Sequence, residues 1–352
     1  MIARRGVVAV VLSWIVGPLA CGGDDGGAAG TDAATVGGDG SSGTPSSSTE
    51  VDTGATSSHP TSTSATTTTS PMTTDTADSS EDSASDSTGD PDANGCPAGA
   101  PSAWVGCETF DDIDDPAAQL PQWMVIGDGF GVEADGPDLG DRALRVTLVP
   151  GQQFRGWVTL RVGEGPDGPG VDSPTARFDE LWVRYWLRTG DDWPGWGIGD
   201  VGELMVLDGA NWGIAAEMAI RSETGQTLHP LGWSCIVDGV NMCNGGNDWS
   251  GGLYLIWQAM GETVLFDAAG AGQWRCVEGH MRLNTPGAAD GQAHVWVDGN
   301  EEIAVDGVDF LGTWDEYGLN GLRFTNYATP PPRPLDFWVD DVVFATERVG
   351  CD

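Results

Sequence analysis

His280 and Tyr254 are the side chains whose types best suit giving and taking a proton. An imidazole titrates near neutrality, and a phenol acts as acid or base once its surroundings shift it. Arg221 and Arg282 can hold a carboxylate or a row of hydroxyls, and Glu217 and His294 add further acceptors and donors. Gln258, Glu278, Arg323 and Tyr327 follow the same outward-facing pattern. Such a set can move protons and hold a polar ligand. Elimination next to a carboxylate needs a group that neutralises the carboxylate, a base for the proton and an acid for the leaving group. Binding needs only the donors, the acceptors and rings on which sugars stack. Hydrolysis would use two carboxyl groups about 5–10 Å apart. Glu217 with Glu278, on neighbouring strands, is the pair that the pattern offers. No G-x-S-x-G elbow supports a serine nucleophile.

The elements that must position these residues are strands. Arg142–Leu148 alternates Leu144, Val146 and Leu148 against Arg145 and Thr147, and Leu181–Leu187 alternates Leu181, Val183, Tyr185 and Leu187 against Trp182, Arg184 and Trp186. Ile214–Arg221 sends Ile214, Ala216, Met218 and Ile220 inward and Glu217 and Arg221 outward. Cys276–Leu283 turns Val277, Met281 and Leu283 inward and Glu278, His280 and Arg282 outward. Phe154–Val162, Ala293–Val297 and Phe337–Ala345 complete the recognisable set, separated by Gly, Pro and Asp-Gly turns. No stretch sustains a helical period. The fold class expected is all-β: a two-sheet antiparallel β-sandwich over 96–352. If the strands share its concave sheet, the outward residues form one sugar platform. Trp193, Trp196, Trp212, Trp233 and Trp249 lie in or beside Gly-rich stretches, and one or two of them are expected to meet ligand.

The rest of the chain concerns location. Residues 21–95 are Ser, Thr, Gly, Asp and Ala without an aromatic side chain, which cannot offset the entropy of ordering them. They read as a disordered linker, which as a flexible coil spans about 45–50 Å. Residues 1–20 carry Arg4 and Arg5, an apolar run Val7–Val16 and Leu19-Ala20 before Cys21, the layout of a signal peptide. This segment resembles a bacterial lipoprotein signal, which implies lipidation of Cys21 and an outer-membrane or cell-surface location. Removing Cys21 from seven cysteines leaves six, an even set that reads as three disulfides in an exported domain. Spacings of 11, 128, 8, 33 and 75 contain no C-x-x-C pair and argue against zinc. Cys235 and Cys243 are expected to close a local loop around Asp238-Gly239, and Cys351 to reach Cys96 or Cys107; the pairing of the remaining cysteines is left open. The formal charge is −38, with 53 acids and no lysine. Of these acids 13 precede residue 96, as do two of the 15 basic residues, so the domain keeps a net charge near −27. Such a field repels nucleic acid. No cofactor motif is present. Acids at Asp111, Asp112, Asp114 and Asp115 and at Asp340 and Asp341 suggest a structural calcium ion, with Asp111 and Asp341 as its ligands.

Trp274–Asp298 reads WRCVEGHMRLNTPGAADGQAHVWVD, followed by Gly299. It resembles the LNTPG hairpin of concanavalin A-like jelly rolls, in particular the polysaccharide lyases and their bacterial lipoprotein relatives. Phe178–Asp192 and Phe337–Gly350 are similar to an early and a closing strand of that family. The resemblance implies glycan binding or glycan chemistry on a concave sheet. It also implies a Lys on one strand, an Arg-rich strand and a Tyr. Here Glu203–Leu207 stands where the Lys is expected, Glu217 where the Arg is expected, and Tyr254 matches the Tyr. Three readings follow: a surface-anchored carbohydrate-binding or adhesion module, a polysaccharide lyase with an altered active site, and a structural envelope lipoprotein without a ligand. The partner in the first two is a polysaccharide or cell-surface glycan, and the membrane is met only through the lipid anchor.

Overall fold

The computed structural model describes residues 95–351 except 116–123, 138–140, 167–171, 196, 198, 209–212, 223–225, 244–250 and 258. Cys21, the signal segment and the linker up to residue 94 lie outside the described residues, as do Trp196, Trp212, Trp249 and Gln258.

The described residues form strands and no helix. In chain order they are β1 (Trp104–Glu108), β2 (Met124–Gly127), β3 (Phe130–Glu133), β4 (Ala143–Leu148), β5 (Phe154–Arg161) and β6 (Glu180–Thr189). Next come β7 (Asp200–Leu207), β8 (Ile214–Arg221), β9 (His229–Ser234), β10 (Ile236–Val237), β11 (Val240–Asn241) and β12 (Leu253–Ile256). The last are β13 (Arg275–Arg282), β14 (Gly291–Val297), β15 (Asn300–Val308), β16 (Gly321–Tyr327) and β17 (Leu335–Ala345). An eight-stranded antiparallel sheet runs β15-β14-β13-β6-β17-β4-β3, with β1 added along the second half of β17. A seven-stranded sheet runs β12-β9-β8-β7-β16-β5-β2, and β10 and β11 form a separate ribbon. The chain passes repeatedly from one sheet to the other, as in a jelly roll, so the expected two-sheet antiparallel sandwich is what forms.

Alternation explains the layers. Along β6 every second side chain is buried, and Leu181, Val183, Tyr185 and Leu187 face the other sheet. They meet Met218 and Ile220 from β8, Phe324 from β16 and Phe337 from β17 in one core. Each such side chain contributes about 1.5–3 kcal/mol on burial. Two inward assignments fail. Ile214 packs with Met205 and Leu207 in a separate cluster, because the β7–β8 register shifts between Val206 and Leu207. Phe154, expected on the face of Val158, Leu160 and Val162, is exposed. Trp193 is core rather than a ligand contact.

Two hairpins use Asp-Gly pairs as their two-residue turns. Asp238 and Gly239 join β10 to β11 with φ of 52° and 77°, and Asp298 and Gly299 join β14 to β15 with φ of 48° and 80°. Positive φ at both central positions is what lets such a turn follow the twist of its strands. The LNTPG segment is held by side chains of its own loop. Thr285 donates to both oxygens of Asp290, from N at 2.7 Å and from Oγ1 at 2.8 Å, and Asn284 bonds Leu311 N and Gly312 O. The Thr285 hydrogen bonds also hold the Asp290 carboxyl below its usual range.

Cys235 pairs with Cys243, Cys96 with Cys107, and Cys276 with Cys351. Cys351 therefore does not reach Cys96 or Cys107. Those two close a short loop of their own, and after β17 the chain crosses to the start of β13 instead. Closing the 75-residue separation restricts the unfolded chain by about 4 kcal/mol in the loop-entropy account. Three disulfides fit an oxidising, exported environment.

Candidate functional site

The outward face of the seven-stranded sheet carries the site, and strand register fixes who neighbours whom. Leu231 on β9, Ala219 on β8, Glu203 on β7, Arg323 on β16 and Thr159 on β5 form one row across it. In the adjacent row, Tyr254 on β12, Trp233 on β9, Glu217 on β8 and Met205 on β7 stand side by side. Glu203 is thus directly opposite Arg323 and one diagonal step from Glu217. A cleft of about 380 Å³ lies over these rows.

Aromatic rings form its walls. Trp233 and Tyr254 pack edge to face with centroids 4.0 Å apart, and Tyr254 continues to Trp257 at 5.2 Å. At the other end Phe154 lies 5.5 Å from Trp157. Tyr254, Trp257 and Phe154 are exposed, whereas Trp157 and Trp233 are buried in the walls. Gly252 makes room for this wall, since a Cβ there would overlap the Trp233 indole.

Charge is concentrated on the floor. Glu203, Glu217, Arg221 and Arg323 are all buried. Glu203 accepts from Thr325 Oγ1 and lies 3.5 Å from Arg323 Nη1, while the Arg323 guanidinium sits 4.7 Å from the Trp157 ring centre. Arg221 Nε is 2.7 Å from Asp200 Oδ1, and its guanidinium is 5.8 Å from the Tyr327 ring. Glu217 differs, because its buried Oε2 has no hydrogen-bond partner among the described residues. Burial, and then the nearby Glu203 carboxylate, push the Glu217 carboxyl well above the usual range against the pull of Arg323 and Arg221. The floor thus holds two carboxyl groups between two arginines, and burial biases the Glu217 carboxyl towards its protonated form. Such a site can exchange hydrogen bonds with the hydroxyls of a sugar whose faces rest on the rings.

The residues expected on one platform divide between the two outer faces. Glu217, Arg221, Tyr254, Arg323 and Tyr327 line the cleft. Glu278, His280, Arg282 and His294 belong to β13 and β14 of the eight-stranded sheet and face the opposite side of the sandwich. The pairing of His280 with Tyr254 as acid and base fails for this reason, and so does the carboxyl pair Glu217 with Glu278. His280 stacks on Trp182 with centroids 4.1 Å apart, and its Nε2 is 2.9 Å from Glu180 Oε1. Burial holds its imidazole below the ordinary value. His294 lies 3.1 Å from Glu301 and 3.4 Å from Asp306, and Arg282 donates to Asp290 O.

Sequence reasoning missed Asp200 and Trp157 as cleft residues, and reached Glu203 only through the resemblance, as the segment standing where a Lys is expected. Glu203 on an otherwise apolar strand (DVGELMVL) was the available signal, because a carboxylate among buried neighbours needs a partner. Asp341, Asp111 and Asp141 each further raise the pKa of Asp340, whose carboxyl burial pushes up to about 8. No cluster of three or more His, Cys, Asp or Glu side chains suited to a metal ion occurs among the described residues.

No protein-family model matches the chain, and no curated protein matches it. Similar solved structures include polysaccharide lyases. An alginate lyase from Aplysia kurodai has 14% identity and a TM-score of 0.47, covering 69% of this chain and 99% of that one. An endo-beta-1,4-glucuronan lyase from Trichoderma reesei has 15% identity and a TM-score of 0.40, over 70% and 92%. An alginate lyase from Chlorella virus has 12% identity and a TM-score of 0.43, over 64% and 93%. At these identities the likeness concerns the fold alone.

Proposed function

We propose that the domain binds a polysaccharide or cell-surface glycan in the cleft of the seven-stranded sheet, and that it does so as an exported lipoprotein anchored through Cys21. One observation carries the reading: the rings of Phe154, Trp157, Trp233, Tyr254 and Tyr327 surround the charged floor of Glu203, Glu217, Arg221 and Arg323. Rings accept the C–H faces of a pyranose, and the floor supplies both donors and acceptors for its hydroxyls. The acidic domain turns away nucleic acid, and a linker of the length in 21–95 would let it reach glycan beyond the membrane surface.

Titration calorimetry of the full chain against a panel of neutral and uronic oligosaccharides tests the proposal. At least one ligand is expected to bind, and Trp233→Ala to weaken it about 10- to 100-fold. Absence of binding across the panel would overturn the reading. Absorbance of unsaturated product is followed in the same samples. Product from a uronan, lost in Tyr254→Phe, would replace binding with cleavage. For the anchor, Cys21→Ser is expected to release the protein from membranes, and unchanged partition would exclude lipidation.

A further inference from the structure

Among the described residues lining the cleft, Glu217 Oε2, Arg323 Nε and Nη2 and Trp157 Nε1 are buried with no hydrogen-bond partner. Buried polar atoms are nearly always satisfied, so several that line one cleft mark where a ligand's polar atoms belong. The charges around them are already matched. Arg323 faces Glu203, and Arg221 faces Asp200. Among the described residues of the floor, Glu217 is the carboxyl with no arginine within ion-pair distance. From β9 it is flanked by Trp233, with His229 further along that strand opposite Arg221, and from β12 by Tyr254.

We propose that this cleft selects an uncharged glycan, with Glu217 entering the complex as a neutral carboxylic acid that donates a hydrogen bond to a sugar oxygen while Arg323 Nη2 donates to a neighbouring hydroxyl. With Glu217 protonated, two arginines balance two carboxylates and the floor is electrically neutral. A uronate placed there would be a charge without a counter-ion at the bottom of a cleft, in a domain of net charge near −27. Hydroxyls, which both donate and accept, satisfy Oε2 and Nη2 with no added charge. Ionising Glu217 removes its donor hydrogen and sets a second negative charge beside Glu203. Affinity therefore falls as pH rises through the folded-state pKa of Glu217, which burial raises.

The inference rests on the glycan-binding reading, and the experiment separates the two. The full chain and Glu217→Gln are titrated with a neutral hexasaccharide of a glucan or xylan and with hexauronates, between about pH 5 and pH 9. The expected result has three parts. The neutral ligand binds about tenfold or more tighter than the uronates, its affinity falls at alkaline pH, and that alkaline fall is absent in Glu217→Gln, whatever the variant's own affinity at acid pH. The glutamine keeps a donor at the same position at every pH. Uronates binding as tightly as neutral sugars would overturn this inference and leave glycan binding standing. So would an alkaline fall that persists in Glu217→Gln. Binding of neither ligand class would overturn both.

Discussion

On the eight-stranded sheet the Glu278 carboxylate is fully enclosed, yet it accepts from Arg348 Nε and Val349 N at 2.8 Å each and from Gly350 N at 3.1 Å. On the seven-stranded sheet Glu217 is enclosed almost as fully, and its Oε2 has no hydrogen-bond partner among the described residues. Both are glutamates on interior strands, each directly opposite a tryptophan, Trp296 for Glu278 and Trp233 for Glu217. The first is satisfied by its own chain, which it uses to dock the C-terminal tail beside the Cys276–Cys351 bridge. The second is left for something outside the chain. Burial of a charged group therefore does not by itself mark a site; the source of its partners does.

The sharpest way to break this contrast is to remove both carboxyls in turn. Glu278→Ala removes the acceptor of Arg348 Nε and of the Val349 and Gly350 amides, and is expected to cost about 1–3 kcal/mol by denaturant unfolding. Glycan affinity of the folded fraction should not change. A loss under about 1 kcal/mol would show that the tail is held without Glu278.

Glu217→Gln is expected to act in the opposite sense. A carboxyl whose folded pKa lies above its unfolded value binds more protons when folded, so stability falls as pH rises from the unfolded pKa towards the folded one. The amide has no such penalty. The variant should match the parent near pH 4 and become the more stable of the two at neutral and alkaline pH, read as the denaturation midpoint across pH. A parent that stays level with Glu217→Gln over the whole range would mean that Glu217 is ionised at no cost, and the contrast with Glu278 would collapse.

The strand faces were legible because alternation is a local property. Leu181 to Leu187 and Val277 to Met281 point where period two requires, and the Asp-Gly turns lie where positive φ is needed. Sheet membership was not legible. His280 and Tyr254 both read as outward residues, and nothing local says that β13 joins β6 across the sandwich while β12 joins β9. Glu203 was hidden differently: its partners Arg323 and Thr325 come from a strand more than a hundred residues later. The link from Cys276 to Cys351 depends in the same way on where the chain goes after β17, which spacing does not encode.

The smallest expected effect tests the partition of the two faces most directly. His280 is buried against Trp182, and burial lowers its pKa although Glu180 and its hydrogen bond pull the other way. A histidine with a depressed folded pKa binds fewer protons folded than unfolded, so its stabilising contribution is present above the unfolded value and is lost as pH falls through the folded one. His280→Gln should flatten the stability profile on the acid side of neutrality and leave glycan affinity within about twofold, because the ring faces away from the cleft. Calorimetry of this variant beside Trp233→Ala reads both outcomes. A tenfold loss of affinity in His280→Gln would mean that ligand contacts the eight-stranded face, and the division of labour between the two sheets would have to be redrawn.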